Sequence, residues 1–234
     1  MLTQLLNFYF LGETTTLVPR GTVVDGKVTK IFNSVAPSSD GKIFYTDSST
    51  NYYLQEGVGE MLGSPSGRLM VYDPITNLSS VLHDKVHFPN GIVLSPEEDY
   101  IIFAECFAYR LLKHWVKGPK TGAFLAIEST YVRWCDIFLP FHQGTSEIFV
   151  ENLPGTPDNL SFSTNGNIFV GLVTLRLPGK LNLLDTLHKL PLLRKLILRI
   201  VHILKIPLDL IVTYLDLPFA RQIDYHVISL SQSL

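Results

Sequence analysis

The sequence predicts an all-β fold of the β-propeller type. Three observations predict it: a unit that recurs three times, polar turns at matched places inside that unit, and further strand pairs between its copies. The copies read "IFNSVAPSSDGKIFYTD" (31–47), "FPNGIVLSPEEDYIIFAE" (88–105) and "TPDNLSFSTNGNIFVGL" (156–172). Each runs from an asparagine into a short apolar strand, a polar turn and an Ile/Phe-rich strand. The turns "SSDG", "SPEED" and "STNG" suit tight antiparallel reversals.

Taken in order, the asparagines stand at 33, 90 and 159, spacings of 57 and 69, against the roughly 40–50 residues of a propeller blade. The intervening strand pairs are "GRLMVYD" (67–73) with "SSVLHD" (79–84) around "PITN", and "YRLLKHWV" (109–116) with "SEIFVENL" (146–153). That makes about four strands per unit, as in a propeller blade. A β-sandwich is the competing architecture, but a sandwich core gives no reason for one polar residue to return at the same point of each unit.

Composition narrows the functional classes. The 234 residues carry 19 basic and 21 acidic side chains and are 46% hydrophobic, enough to build a core. Neither a polybasic run in the first half nor an aromatic-and-arginine pattern suggests a nucleic-acid partner. Cys106 and Cys135 make neither a disulfide framework nor a zinc site and read as free thiols. "MLTQLLNFYFLGE" has no basic n-region and is too short to span a bilayer, so the sequence as written shows no signal or anchor. Asn77-Leu78-Ser79 and Asn159-Leu160-Ser161 fit the glycosylation sequon.

In a propeller the loop entering the innermost strand of each blade faces the central channel, so asparagines there converge. The amide oxygens of Asn33, Asn90 and Asn159 and the carboxylate of Asp158 then make a hard-oxygen set suited to calcium. The competing reading is that each asparagine merely caps a turn. His87, just before Asn90, reads as a solvated loop histidine; Asp47 and Glu105 end apolar strands, where they could face the channel, yet an acid closing a strand more often bonds a turn or meets solvent. No residue is assigned as a general base.

Together with "IFYTDSS" (43–49), "GRLMVYDP" (67–74) and "FVENLPGTPDN" (149–159), the motifs "FNS", "FPNG" and "TPDN" resemble the strictosidine synthase-like propellers. The likeness covers roughly residues 17–122 and 145–220. It implies a six-bladed β-propeller with calcium on its axis, distantly related to paraoxonases and gluconolactonases, with Asn33, Asn90, Asp158 and Asn159 matching axial ligand positions. It further implies arylesterase-like hydrolysis of esters or lactones rather than strictosidine synthesis, and membrane association in the endoplasmic reticulum or at the cell surface. Ser34 departs from the pattern, where Asp usually follows the first asparagine.

Against this family the propeller reads as incomplete, with blades missing at both ends. Residues 1–16 stand outside the likeness, 17–234 form a partial propeller, and 123–144 interrupt it as an insertion. The segment 181–215 changes texture. An amphipathic basic helix is expected near 182–206, bounded by Pro191 and Pro207, and residues 190–206 either cap the propeller or touch a membrane surface. The alternative to a hydrolase is a non-catalytic propeller acting as a binding platform at a membrane or cell surface.

Overall fold

The computed structural model describes residues 6–10, 13–118, 146–176, 179, 186–187 and 190–215. The proposed insertion at 123–144, and Cys135 within it, lie outside the described residues.

Alternating apolar residues separated by turn formers give antiparallel strands throughout. Two hairpins come first: β1 (Leu6–Phe10) with β2 (Glu13–Val18), and β3 (Val23–Val24) with β4 (Lys27–Val28). Next comes a four-stranded sheet in sequential order, β5 (Phe32–Pro37), β6 (Ile43–Asp47), β7 (Gly67–Asp73) and β8 (Leu78–Val86), with helix α1 (Gly57–Leu62) in the β6–β7 connection. A second such sheet follows: β9 (Pro89–Leu94), β10 (Tyr100–Glu105), β11 (Arg110–Trp115) and β12 (Ser146–Val150). The pair β13 (Gly155–Phe162) and β14 (Ile168–Leu175) begins a third. These are the strand pairs the turn signals predict, and the meander of four strands per unit is the propeller blade pattern.

The first strands of the three sheets are neighbours, with β9 lying against β5 on one side and β13 on the other. Between the two full sheets sits an apolar layer of Phe44, Leu69, Val86, Ile92, Ile101, Phe103 and Leu112. Ile102, Ala104 and Leu111 form the layer on the other face of the second sheet, against Leu160, Ile168 and Val170 of the third. Strand alternation explains this: Ile101 and Phe103 face one side and Ile102 and Ala104 the other. Leu6, inside the stretch the sequence sets apart from the likeness, is buried with Val18, Val24, Tyr45, Met70 and Tyr72, so the first hairpins cover the outer face of the first sheet.

The helix departs from expectation. Helix α2 spans Pro191–Leu215, starting later than 182 and running through Pro207 instead of stopping there. A proline fixes φ near the helical value and removes one hydrogen bond, which weakens a helix without forbidding it. Pro191 opens the helix, where its missing N–H costs nothing.

Candidate metal centre

The three predicted asparagine sites all fall on irregularities of the inner strands. On β5, Phe32 pairs with Asp47 and Val35 with Tyr45, so three steps along β5 answer two along β6. On β9, Pro89 pairs with Glu105 and Ile92 with Phe103. On β13, Pro157 pairs with Leu172 and Leu160 with Val170. Each strand therefore carries one extra residue at the same point, a β-bulge that re-aims side chains out of the pleat. The bulge residues are Asn33-Ser34, Asn90-Gly91 and Asp158-Asn159.

This register corrects the sequence alignment. Asp158, not Asn159, is the counterpart of Asn33 and Asn90, and Asn159 takes the place of Ser34 and Gly91. The repeat hides this because matching asparagine to asparagine shifts the third unit by one residue, whereas backbone pairing counts from the residue that opens each bulge.

The bulges are brought side by side by close backbone contact. A Cβ on Gly91 would lie 2.3 Å from the Asp158 carbonyl oxygen and 2.6 Å from the Leu160 nitrogen, so only glycine lets β9 approach β13 this closely. On the other side, the Thr46 hydroxyl donates to the Asn90 carbonyl (2.8 Å) and accepts from the Ser34 N–H (3.1 Å). Asn33 is exposed and its Nδ2 donates to Ser48 Oγ at 3.0 Å. Asn90 is 7% exposed. Asp158 is half-buried and Asn159 exposed.

Among the described residues no three His, Cys, Asp or Glu side chains gather into a metal-ligating group. Any ion held here would rest on carboxamide oxygens plus the one carboxylate, a donor set for a hard cation. One observation tests the fit: Asn90 Oδ1 is buried and has no hydrogen-bond partner. An unmatched buried acceptor costs about 1–3 kcal/mol, and a cation would relieve it.

The other singled-out residues have structural work. Asp47 Oδ1 accepts from the Lys30 and Ile31 N–H groups, and its Oδ2 pairs with Arg68 Nη2 at 2.7 Å. Burial pushes this carboxyl up, against the pull of Arg68. Glu105 repeats the arrangement, accepting from the His87 N–H at 2.8 Å and pairing with Arg110 Nε at 2.5 Å. Both acids clamp the chain entering their own sheet, and neither simply meets solvent. His87 is also not a solvated loop residue: it is 1% exposed, edge-on to Phe107, with Nε2 3.3 Å from the Glu60 carbonyl.

Sequence reasoning missed Glu60. It is fully buried on α1, its Oε2 takes the Ser49 hydroxyl at 2.5 Å, and its Oε1 has no partner. Burial, with a contribution from the Asp47 charge, pushes its pKa up to about 7. Its only sequence signal is a lone acid in the short apolar stretch "GVGEML". A cavity of about 390 Å³ lies at the opposite ends of the sheets, among the turns carrying Asp40, Asp73, Glu98 and Lys117, and is separate from the bulges.

Comparison with known proteins adds the following. Residues 33–119 match the family model described as strictosidine synthase. The Drosophila melanogaster protein called adipocyte plasma membrane-associated protein hemomucin is 40% identical over 144 residues, 62% of this chain and 21% of its own length. Human adipocyte plasma membrane-associated protein is 31% identical over 190 residues, 80% of this chain and 40% of its own. The chain thus spans less than half the length of these relatives. Among solved structures, a gluconolactonase from Xanthomonas campestris aligns with a TM-score of 0.47 and 15% identity over 70% of this chain and 47% of that one.

Proposed function

For a chain that belongs to the strictosidine synthase-like family, we propose calcium-dependent hydrolysis of esters or lactones, of the arylesterase-like kind. The observation that carries the reading is the triple bulge: Asn33, Asn90 and Asp158 in one register on adjacent inner strands, with Asn90 Oδ1 buried and unmatched. These three residues would hold the ion, with Asn159 beside them. Calcium, when bound, supplies a Lewis acid that polarises an ester or lactone carbonyl. The chain's own part is to keep the oxygens fixed: the glycine contact at Gly91 locks β9 to β13, and Thr46 locks β5 to β9. Rigid donors of this kind lose little when charge develops in the transition state. His87 is enclosed by Phe107 and the Glu60 carbonyl, which argues against it as the base that activates water.

The test is phenyl acetate turnover with and without chelator, alongside calorimetric calcium titration. Turnover that ignores chelation sinks the reading. Asn90→Ala and Asp158→Ala are expected to abolish turnover and weaken calcium binding while the fold persists.

A second reading, a binding platform at a membrane or cell surface, is favoured by α2. Leu192, Leu196, Ile200, Ile203 and Leu204 are exposed there, and Lys195, Arg199 and His202 recur at helical spacing. Among the described residues no helix is long and apolar enough to cross a membrane. Cosedimentation with anionic vesicles that survives Asn90→Ala but is lost on Leu196→Glu/Ile203→Glu would support the platform; no cosedimentation would count against it.

A further inference from the structure

Ser48 and Cys106 stand directly behind the two asparagines. Ser48 follows Asp47 and Cys106 follows Glu105, so they occupy the same place in successive sheets. The Ser48 oxygen lies 2.6 Å from the Pro89 carbonyl oxygen, and the Cys106 sulfur 2.7 Å from the Pro157 carbonyl oxygen. A carbonyl can only accept, so the O–H and the S–H must both donate there. What remains on each atom is acceptor capacity, and that suits the NH₂ end of the neighbouring carboxamide: Asn33 Nδ2 donates to Ser48 Oγ at 3.0 Å, and the Cys106 sulfur offers Asn90 the same kind of acceptor. The carbonyl end of each asparagine is thereby turned away from the relay. For Asn90 that end is the oxygen left without a partner.

We infer that Ser48 and Cys106 are positioning residues that fix which end of each axial carboxamide is presented, and so set cation affinity at the bulges. The affinity part rests on the calcium reading, while the orientation part rests on the hydrogen bonds alone. The relay also laces the three strands, because Pro89 and Pro157 are the residues immediately before Asn90 and Asp158. It stops where it is no longer needed. Asp158 has two equivalent oxygens and no NH₂ end to turn away, and the residue corresponding to Ser48 and Cys106 in the third unit is Val173.

The experiment uses the full chain with Cys106→Ser, which preserves donor and acceptor, and Cys106→Val, which removes both at similar volume. Exchange of the Asn90 side-chain amide protons is read by NMR in metal-free protein, and affinity by calcium calorimetry and terbium luminescence. Cys106→Ser is expected to stay within about threefold of the parent in both readouts. Cys106→Val is expected to expose the amide to exchange and weaken calcium about 10- to 100-fold, the usual effect of losing a residue that orients a ligand. Amide protection that does not depend on residue 106 overturns the inference. So does unchanged calcium affinity in Cys106→Val. A parent protein that binds no calcium, yet shows the predicted protection pattern, overturns the calcium reading and leaves the orientation standing. If Cys106→Val fails to fold, Ser48→Ala makes the same comparison at Asn33.

Discussion

The first and second sheets contain the same clasp, an acid ending the second strand paired with an arginine opposite it on the third, yet the two clasps sit in different surroundings. Asp47 and Arg68 are 0% and 1% exposed at their side chains, and Arg68 also donates to the Val24 carbonyl (2.8 Å) and the Thr29 hydroxyl (3.2 Å). Arg110, paired with Glu105, is 30% exposed and reaches Glu151 only at 3.9 Å. The chain around β3 and β4 closes over both residues of the first clasp, whereas in the second Glu105 is buried at 4% and only Arg110 reaches solvent. Topology repeats the pairing, but burial decides what it is worth.

The largest effect that would break the comparison comes from removing the arginines. Arg68→Met leaves Asp47 buried and uncompensated and is expected to cost about 3–5 kcal/mol in a urea melt. Arg110→Met is expected to cost less, about 1–2 kcal/mol, since Arg110 is 30% exposed while Glu105, at 4%, stays buried and keeps its bond from the His87 N–H. Equal losses would mean that burial does not distinguish the clasps.

Next is the link between second and third strands, a helix with Glu60 in the first sheet and a single turn, Cys106–Ala108, in the second. Because the pKa of Glu60 is raised in the fold, the folded protein binds its proton more tightly than the unfolded chain does. Stability falls as pH climbs from the ordinary glutamate range to about 7 and stays lower above it. Glu60→Gln keeps a partner for Ser49 and is expected to raise stability by about 3 kcal/mol at pH 8 and by almost nothing at pH 4, measured by thermal denaturation across pH.

A smaller contrast separates the second bulge positions. Gly91→Ala drives a methyl into the β13 backbone and is expected to cost about 1–3 kcal/mol, while Ser34→Ala, where a side chain already fits, changes stability by about 0.5 kcal/mol or less. The last contrast is the exchange of Ser48→Cys with Cys106→Ser. Each side chain keeps its proton and its lone pairs, and a shift under about 1.5 kcal/mol is expected.

These contrasts mark how far the sequence could be read. Turn formers between apolar runs located β5 to β14 because tight turns have local chemical requirements. The bulge residues stood out because a polar side chain at a fixed point of an otherwise apolar strand has no local explanation. The alignment of Asn159 with Asn33 and Asn90 slipped by one residue because residue type alone cannot count a bulge. His87, Asp47 and Glu105 were misjudged as turn or solvent residues because their burial depends on Phe107, Arg68 and Arg110, which come from elsewhere in the chain.

By itself, then, the sequence determined the repeating strand pattern, the polar residues carried at the inner strands and the family. Short-range backbone preference and periodicity are written residue by residue. Only the tertiary structure decided that Asp158 shares the register of the asparagines, that Ser48 and Cys106 bond the carbonyls of Pro89 and Pro157, and that Glu60 is buried. Those outcomes arise from packing one sheet on the next, where hydrogen-bond partners come from residues 15 to 51 positions away.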